Sequence, residues 1–264
     1  MALMKTRCIA LVALVLGAAA PVQAQLLINP TGGNTVFGQF VDDQAASRSL
    51  GGTFSFYGQS HTSAFVSSNG QINFNGTAIY SDRPLSTLGQ NSGGSIAALY
   101  DDLYTSNFGS VTDLATAQYY AVTWNLTNCC YGNSSAGIRN FQAALFMQSV
   151  TIGNFNFLAN DIAFSYATLT QPFDRGSATV GISDAAGLNT PVPGTTDGQI
   201  YDNALLPNGS DNSIILFRDS GNGYQASLIT ATATPEPASL ALLATGLVGV
   251  FGAVRRNRTR TNAA

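Results

Sequence analysis

Apolar positions in the middle of this chain come in short runs, punctuated by turn residues about every ten positions. Asp161 to Leu169 alternates, so that Ile162, Phe164 and Tyr166 share one face, the period expected of a half-buried strand. Gln118 to Trp124 (QYYAVTW) is rich in aromatic and β-branched residues, which suit a pleated surface. Thr62 to Ser67, Gln71 to Phe74, Ser95 to Tyr100, Ala178 to Ile182, Ser213 to Arg218 and Gln225 to Ile229 read as further strands. Asn140 to Val150 is long enough for a strand or a short helix, and strand is favoured. Asn69-Gly70 between two runs predicts a tight hairpin, with positive φ at both turn positions. Asp219 to Gly223 reads as another hairpin turn. Residues 184–212 hold Gly, Asn, Pro and Asp with few apolar anchors, which predicts a long loop region. The fold class that follows is all-β, an antiparallel β-sandwich-like ectodomain.

The two ends break this pattern. Lys5 and Arg7 precede an uncharged, mostly apolar run from Cys8 to Ala20, and Val22-Gln23-Ala24 supplies small residues for cleavage between Ala24 and Gln25. Basic, apolar and small-residue regions in that order read as a secretory signal helix. At the other end Ala238 to Val254 is uncharged. Its length, roughly 26 Å as helix, lies at the short end of what spans a bilayer. Arg255, Arg256, Arg258 and Arg260 follow, and basic residues stay cytoplasmic. The predicted division is therefore a signal peptide (1–24), a β-rich ectodomain (25–233), and a sorting and membrane segment (234–264) with one transmembrane helix.

Charge sharpens this picture. Lys5 is the only lysine, and between the two ends five arginines face thirteen aspartates, leaving the ectodomain near −8. Such a surface repels phosphate, which excludes nucleic acid as a partner class. Cys129 and Cys130 are the only cysteines outside the signal. In an oxidising compartment they could form a vicinal disulfide, pair with another chain, or stay reduced. A vicinal bond closes almost no loop and would stiffen one turn rather than stabilise the fold.

Candidate chemistry is sparse. His61, the only histidine, lacks a G-x-S-x-G elbow nearby and is assigned a surface or sheet-edge place. Asp42-Asp43 and Asp101-Asp102 are paired carboxylates, but neighbours on a strand point to opposite faces, so neither pair is a facing acid–base couple by itself. Asp101 and Asp102 are also candidate calcium ligands, against a plain reading as turn caps. No other cofactor is expected. Asn75-Gly76-Thr77 and similar triplets are read as chance matches to the glycosylation pattern.

Pro235-Glu236-Pro237 stands directly before the C-terminal apolar run, and Glu236 is the only glutamate. Proline on both sides keeps this segment extended and open to a protease. Pro-Glu-Pro, an apolar helix and an Arg cluster together resemble the PEP-CTERM sorting signal. That resemblance implies recognition by an exosortase-type processing enzyme at Pro235, Glu236, Pro237 and the Arg255, Arg256, Arg258 cluster. It also implies membrane residence before processing, and a later place at the cell surface or in the extracellular matrix. Within the ectodomain, Thr53 to Gly58, Phe65 to Gly70 and Ile96 to Asp102 resemble, in order, motifs of the nidogen-like (NIDO) extracellular domain over about residues 37–220. Ala98 and Tyr100 stand where that pattern has proline and tryptophan. The family resemblance implies a non-catalytic extracellular or adhesion module, and the leading expectation is that it meets exopolysaccharide or matrix proteins. The alternative is a secreted hydrolase acting on polysaccharide.

Overall fold

A computed structural model describes residues 26–77, 83–129, 138–169, 177–202, 204–207 and 213–230. The signal segment with Ala24 and Gln25, Cys130, Pro235 to Pro237 and the apolar run with its arginines lie outside the described residues. In chain order the elements are β1 (Asn34–Phe37), β2 (Val41–Asp42), β3 (Ala45–Phe56), β4 (Gln59–Ser67), β5 (Gln71–Asn73), α1 (Leu85–Ser92), β6 (Ser95–Tyr100), β7 (Leu103–Thr105), β8 (Ser110–Ala115) and β9 (Tyr119–Asn128). They continue with β10 (Arg139–Phe146), β11 (Val150–Ile152), β12 (Phe155–Phe157), β13 (Ile162–Thr168), β14 (Ala178–Ser183), β15 (Asn189–Pro191), β16 (Gln199–Ile200), β17 (Ser213–Asp219) and β18 (Tyr224–Thr230). Among the described residues no helix is long and apolar enough to cross a membrane.

The described strands form two large antiparallel sheets and a separate two-stranded hairpin, β11–β12. The first runs β1-β8-β9-β10-β13-β17-β18, with β7 beside β9 and β2 beside β7; the second runs β15-β14-β6-β5-β4-β3, with β16 beside β14. Their facing side chains make one core. Phe54, Val66, Ile72, Ile96 and Val180 come from the second sheet, and Trp124, Phe141, Phe164 and Phe217 from the first. Two hydrogen bonds stitch the sheets through this core: Trp124 Nε1 donates to the Ser67 carbonyl at 2.9 Å, and Tyr166 Oη donates to the Ala98 carbonyl at 2.6 Å.

Strand periodicity explains why the first sheet needs a second cover. On β13, Ile162, Phe164 and Tyr166 face the main core as predicted, while Ala163 faces outward. On β10 and β17 the outward positions are also apolar: Ala144, Phe146, Ile214 and Leu216. The β11–β12 hairpin folds over them, and Phe157 stacks on Phe146 with ring centroids 4.0 Å apart. The N-terminal segment completes the cover. Gln142 uses its amide like a strand neighbour, accepting from Ile28 N at 2.9 Å and donating to Ile28 O at 2.8 Å. The outer face of the second sheet is closed by α1, whose Leu85 and Leu88 pack on Ala97 and Tyr100. Asp197, from a distant loop, caps this helix by accepting from Ser86 N and Ser86 Oγ at 2.8 and 2.7 Å.

Two expectations are corrected. The Asn69-Gly70 turn has positive φ at Gly70 alone. Pairing of β4 with β5 closes only at Val66 opposite Ile72, so the loop is wider than a two-residue turn, and Asn69 is buried within it. Residues 184–212 are not uniformly loop: β15 and β16 both pair with β14.

Candidate functional site

The predicted aspartates converge at one end of the two-sheet stack. Val41–Asp42 pairs with β7, β7 pairs with the end of β9, and the turn between β6 and β7 carries Asp101 and Asp102. Asp42, Asp102 and Cys129 thus come together, with carboxylate oxygens and sulfur all within 4.8 Å of one another. Sequence spacing gives no sign of this, because Asp42 and Asp102 are sixty positions apart and are joined only by strand pairing.

Backbone hydrogen bonds set the geometry. Cys129 N donates to Asp102 O at 2.9 Å, and Asp102 N donates to the side chain of Asp101 at 2.9 Å. Asn69 bridges the neighbouring loops, donating to Asp43 Oδ1 at 2.9 Å and accepting from Leu103 N at 3.2 Å. The members of each Asp pair diverge: Asp43 holds Asn69, while Asp42 turns toward Cys129. Of the candidate calcium pair, Asp102 faces Asp42, whereas Asp101 is fully buried and caps the adjacent backbone. Calcium takes about six to eight oxygens, whereas Asp42 and Asp102 bring only two side-chain carboxylates together here.

Cys129 is disulfide-bonded, and its partner lies outside the described residues. An oxidised sulfur is neither a thiolate ligand nor a proton donor. The 3.1 Å approach of Asp42 Oδ2 to Cys129 Sγ is therefore a packing contact in this state. Burial pushes the Asp42 carboxyl above the usual range, the charge of Asp43 adds to this, and a hydrogen bond from the Asp43 backbone opposes it.

Other charged groups also serve the fold. Arg48 donates to Asp113 through Nε and Nη2 at 2.7 and 2.9 Å, and Tyr120 Oη donates to the same carboxylate at 3.0 Å. Arg218 pairs with Asp161 at 2.9 Å. His61 stacks on Phe74 with centroids 3.9 Å apart, a packing role, and burial lowers its pKa. Among the described residues, those lining an open depression of about 440 Å³ (Leu26, Asn29, Pro30, Ile138, Asn140, Ala167 and Thr168) include no titratable side chain.

Fold and site together define an all-β two-sheet module, most of whose described carboxylates are tied into its loops and strands. The chain belongs to the NIDO-related family, which it matches over residues 23–218. Residues 233–256 match the PEP-CTERM protein-sorting motif. Neither match is to a catalytic family, and the second marks an exported surface protein processed by an exosortase. No curated protein and no solved structure matches the chain. At one point where the NIDO pattern has proline, Ala98 N donates to Gly70 O at 3.2 Å, a bond proline cannot make.

Proposed function

We propose that the ectodomain is a non-catalytic adhesion module that holds exopolysaccharide or matrix protein at the cell surface once an exosortase has released it from its membrane-anchored precursor. The observation that carries this reading is the use made of the carboxylates. Asp43, Asp101, Asp113, Asp161, Asp184 and Asp197 each accept hydrogen bonds that fasten a loop, a helix end or a neighbouring strand. A glycoside hydrolase instead needs two carboxyl groups across an open cleft, roughly 5–9 Å apart. The short β module followed directly by a sorting motif also suits display better than turnover.

Incubating the processed protein with exopolysaccharide purified from the producing host tests the reading. Co-sedimentation without release of reducing sugar supports it. Release of reducing sugar, or failure to retain either exopolysaccharide or matrix protein, overturns it. Intact-mass measurement of the surface fraction tests the processing step. A species ending near Pro235 to Pro237 is expected, and a surface species still carrying Arg255 to Arg260 counts against release.

A further inference from the structure

The last described strand, β18, ends at Thr230, and seven residues separate it from Ala238, where the apolar run begins. At no more than about 3.6 Å per residue, the end of β18 lies within roughly 30 Å of that run. Strand pairing shows what shares this end of the molecule. Thr230 is opposite Ser213, Thr168 is opposite Asn140, Arg139 is opposite Leu126, and Asn125 is opposite Ser110. One rim of the first sheet therefore runs from the tail exit to the start of β8. With strands about 4.8 Å apart, that rim is about 25 Å long.

Large apolar side chains cluster on this rim. Phe108, in the tight turn leading into β8, is 74 % exposed, and Phe40, beside it, is 69 % exposed. The two loops are fastened together: Phe40 N donates to Thr105 O, and Gln39 Nε2 donates to Asn107 O. Asn125 Nδ2 further holds the Phe108 carbonyl at 3.3 Å. Phe40 adopts φ +61°, a left-handed conformation unusual for an aromatic residue. Ile138, which precedes β10, and Tyr201, which follows β16, are also exposed at this end. A fastened loop that holds a phenylalanine in a costly conformation and still leaves it in water has no folding rationale.

We propose that Phe40 and Phe108, on their two fastened loops, form an apolar foot that rests in the lipid interface of the membrane holding the precursor's C-terminal run. The proposal rests on that run residing in the membrane. Aromatic side chains are favoured at this depth, and the short tether brings the rim within reach of the bilayer. Arg139, the arginine on this rim among the described residues, is fully buried, and Asp43 stands three residues from Phe40, so attraction to anionic headgroups is not the driving force. The foot inserts into neutral lipid and is indifferent to salt. It orients the ectodomain upright, with the opposite end, marked by Leu188, facing away from the membrane.

The test uses the full chain reconstituted into phosphatidylcholine vesicles with brominated acyl chains. Phe108→Trp and Phe40→Trp place a reporter on the foot, and Leu188→Trp places one at the far end. Trp124, buried in the core, gives a constant background. At least about twofold stronger quenching at 108 and 40 than at 188, unchanged by added salt, is the expected result. Equal quenching at all three, in a chain that resists alkaline carbonate extraction, overturns the foot and leaves the membrane-anchored reading standing. Release of the chain by carbonate overturns both. Protection of the Phe108→Trp reporter by exopolysaccharide, without lipid quenching, reassigns the rim to glycan and also overturns the proposal.

Discussion

The indole of Trp124 on β9 donates its only N–H to the carbonyl of Ser67 at the end of β4, at 2.9 Å, across the interface between the two sheets. Trp124 is fully buried and lies parallel to Phe141, with centroids 5.3 Å apart. Trp124→Phe removes the donor, leaves the Ser67 carbonyl unpaired and opens space in the core. The expected loss is about 2–4 kcal/mol of unfolding free energy. Urea denaturation of the two proteins measures it. A loss under about 0.5 kcal/mol would show that the bond is replaced by water or by local collapse.

Gly70 is a second point where the sheets cannot give way. Its φ is +77°, and a Cβ there would sit 2.0 Å from the Leu99 carbonyl oxygen and 3.1 Å from the Phe141 ring. Backbone strain and collision act together, since Gly70 O also accepts from Ala98 N. Gly70→Ala is expected to cost at least about 2 kcal/mol, read as a fall in thermal midpoint. Gly58→Ala is the control for strain alone: its φ is similarly positive at +78°, but nothing lies within 4 Å of the added carbon. Equal losses in the two variants would refute the collision.

The strands of the main core were legible because period-two alternation reports burial directly, as Ile162, Phe164 and Tyr166 show. Others left weaker marks. In Ser110–Ala115 the buried positions are Val111 and Asp113, so no apolar alternation marks the strand, and Val150–Ile152 is too short to show a period. Leu85–Ser92 contains Gly89, a poor helix former that is needed here because Ser183 and Asp184 press against it. The candidate site was half legible. Adjacent aspartates announce themselves in the sequence, but the meeting of Asp42, Asp102 and Cys129 depends on β2, a two-residue strand with no signal of its own. Phe40 and Phe108 carried no mark, since solitary aromatics in polar segments look like core anchors until their exposure is known.

His61 gives the protein a pH dependence of known sign. Burial against Phe74 lowers its pKa in the folded chain, whereas the unfolded chain titrates near 6.5. Above that value both states are neutral and the stabilisation is complete. As pH falls through and below about 6.5 the unfolded chain takes up the proton more readily, and stability declines. His61→Phe should therefore lose less thermal midpoint than the parent between about pH 7.5 and 5.5. Carboxylates change equally in both proteins over this window and cancel in the comparison. Parallel midpoint curves for the two proteins would refute the assignment.

Asp42 and Cys129 form a pair whose relationship changes with redox state. Oxidised, Cys129 offers Asp42 no proton, and a carboxyl already pushed up by burial and by Asp43 sits 3.1 Å from its sulfur. Reduction supplies a thiol that donates to Asp42 Oδ2. A nearby carboxylate disfavours the thiolate, so the reduced Cys129 should react slowly. Asp42→Asn removes the charge and keeps the shape. In a Cys130→Ser background, after phosphine reduction, alkylation of Cys129 near pH 8 should run several-fold faster in Asp42→Asn than with Asp42 present, since one unit of pKa changes the thiolate fraction about tenfold. Burial of the sulfur is common to both variants, so the ratio isolates charge from access. Identical rates would mean that solvent screens the pair, and that Asp42 holds β2 in place without governing the cysteine.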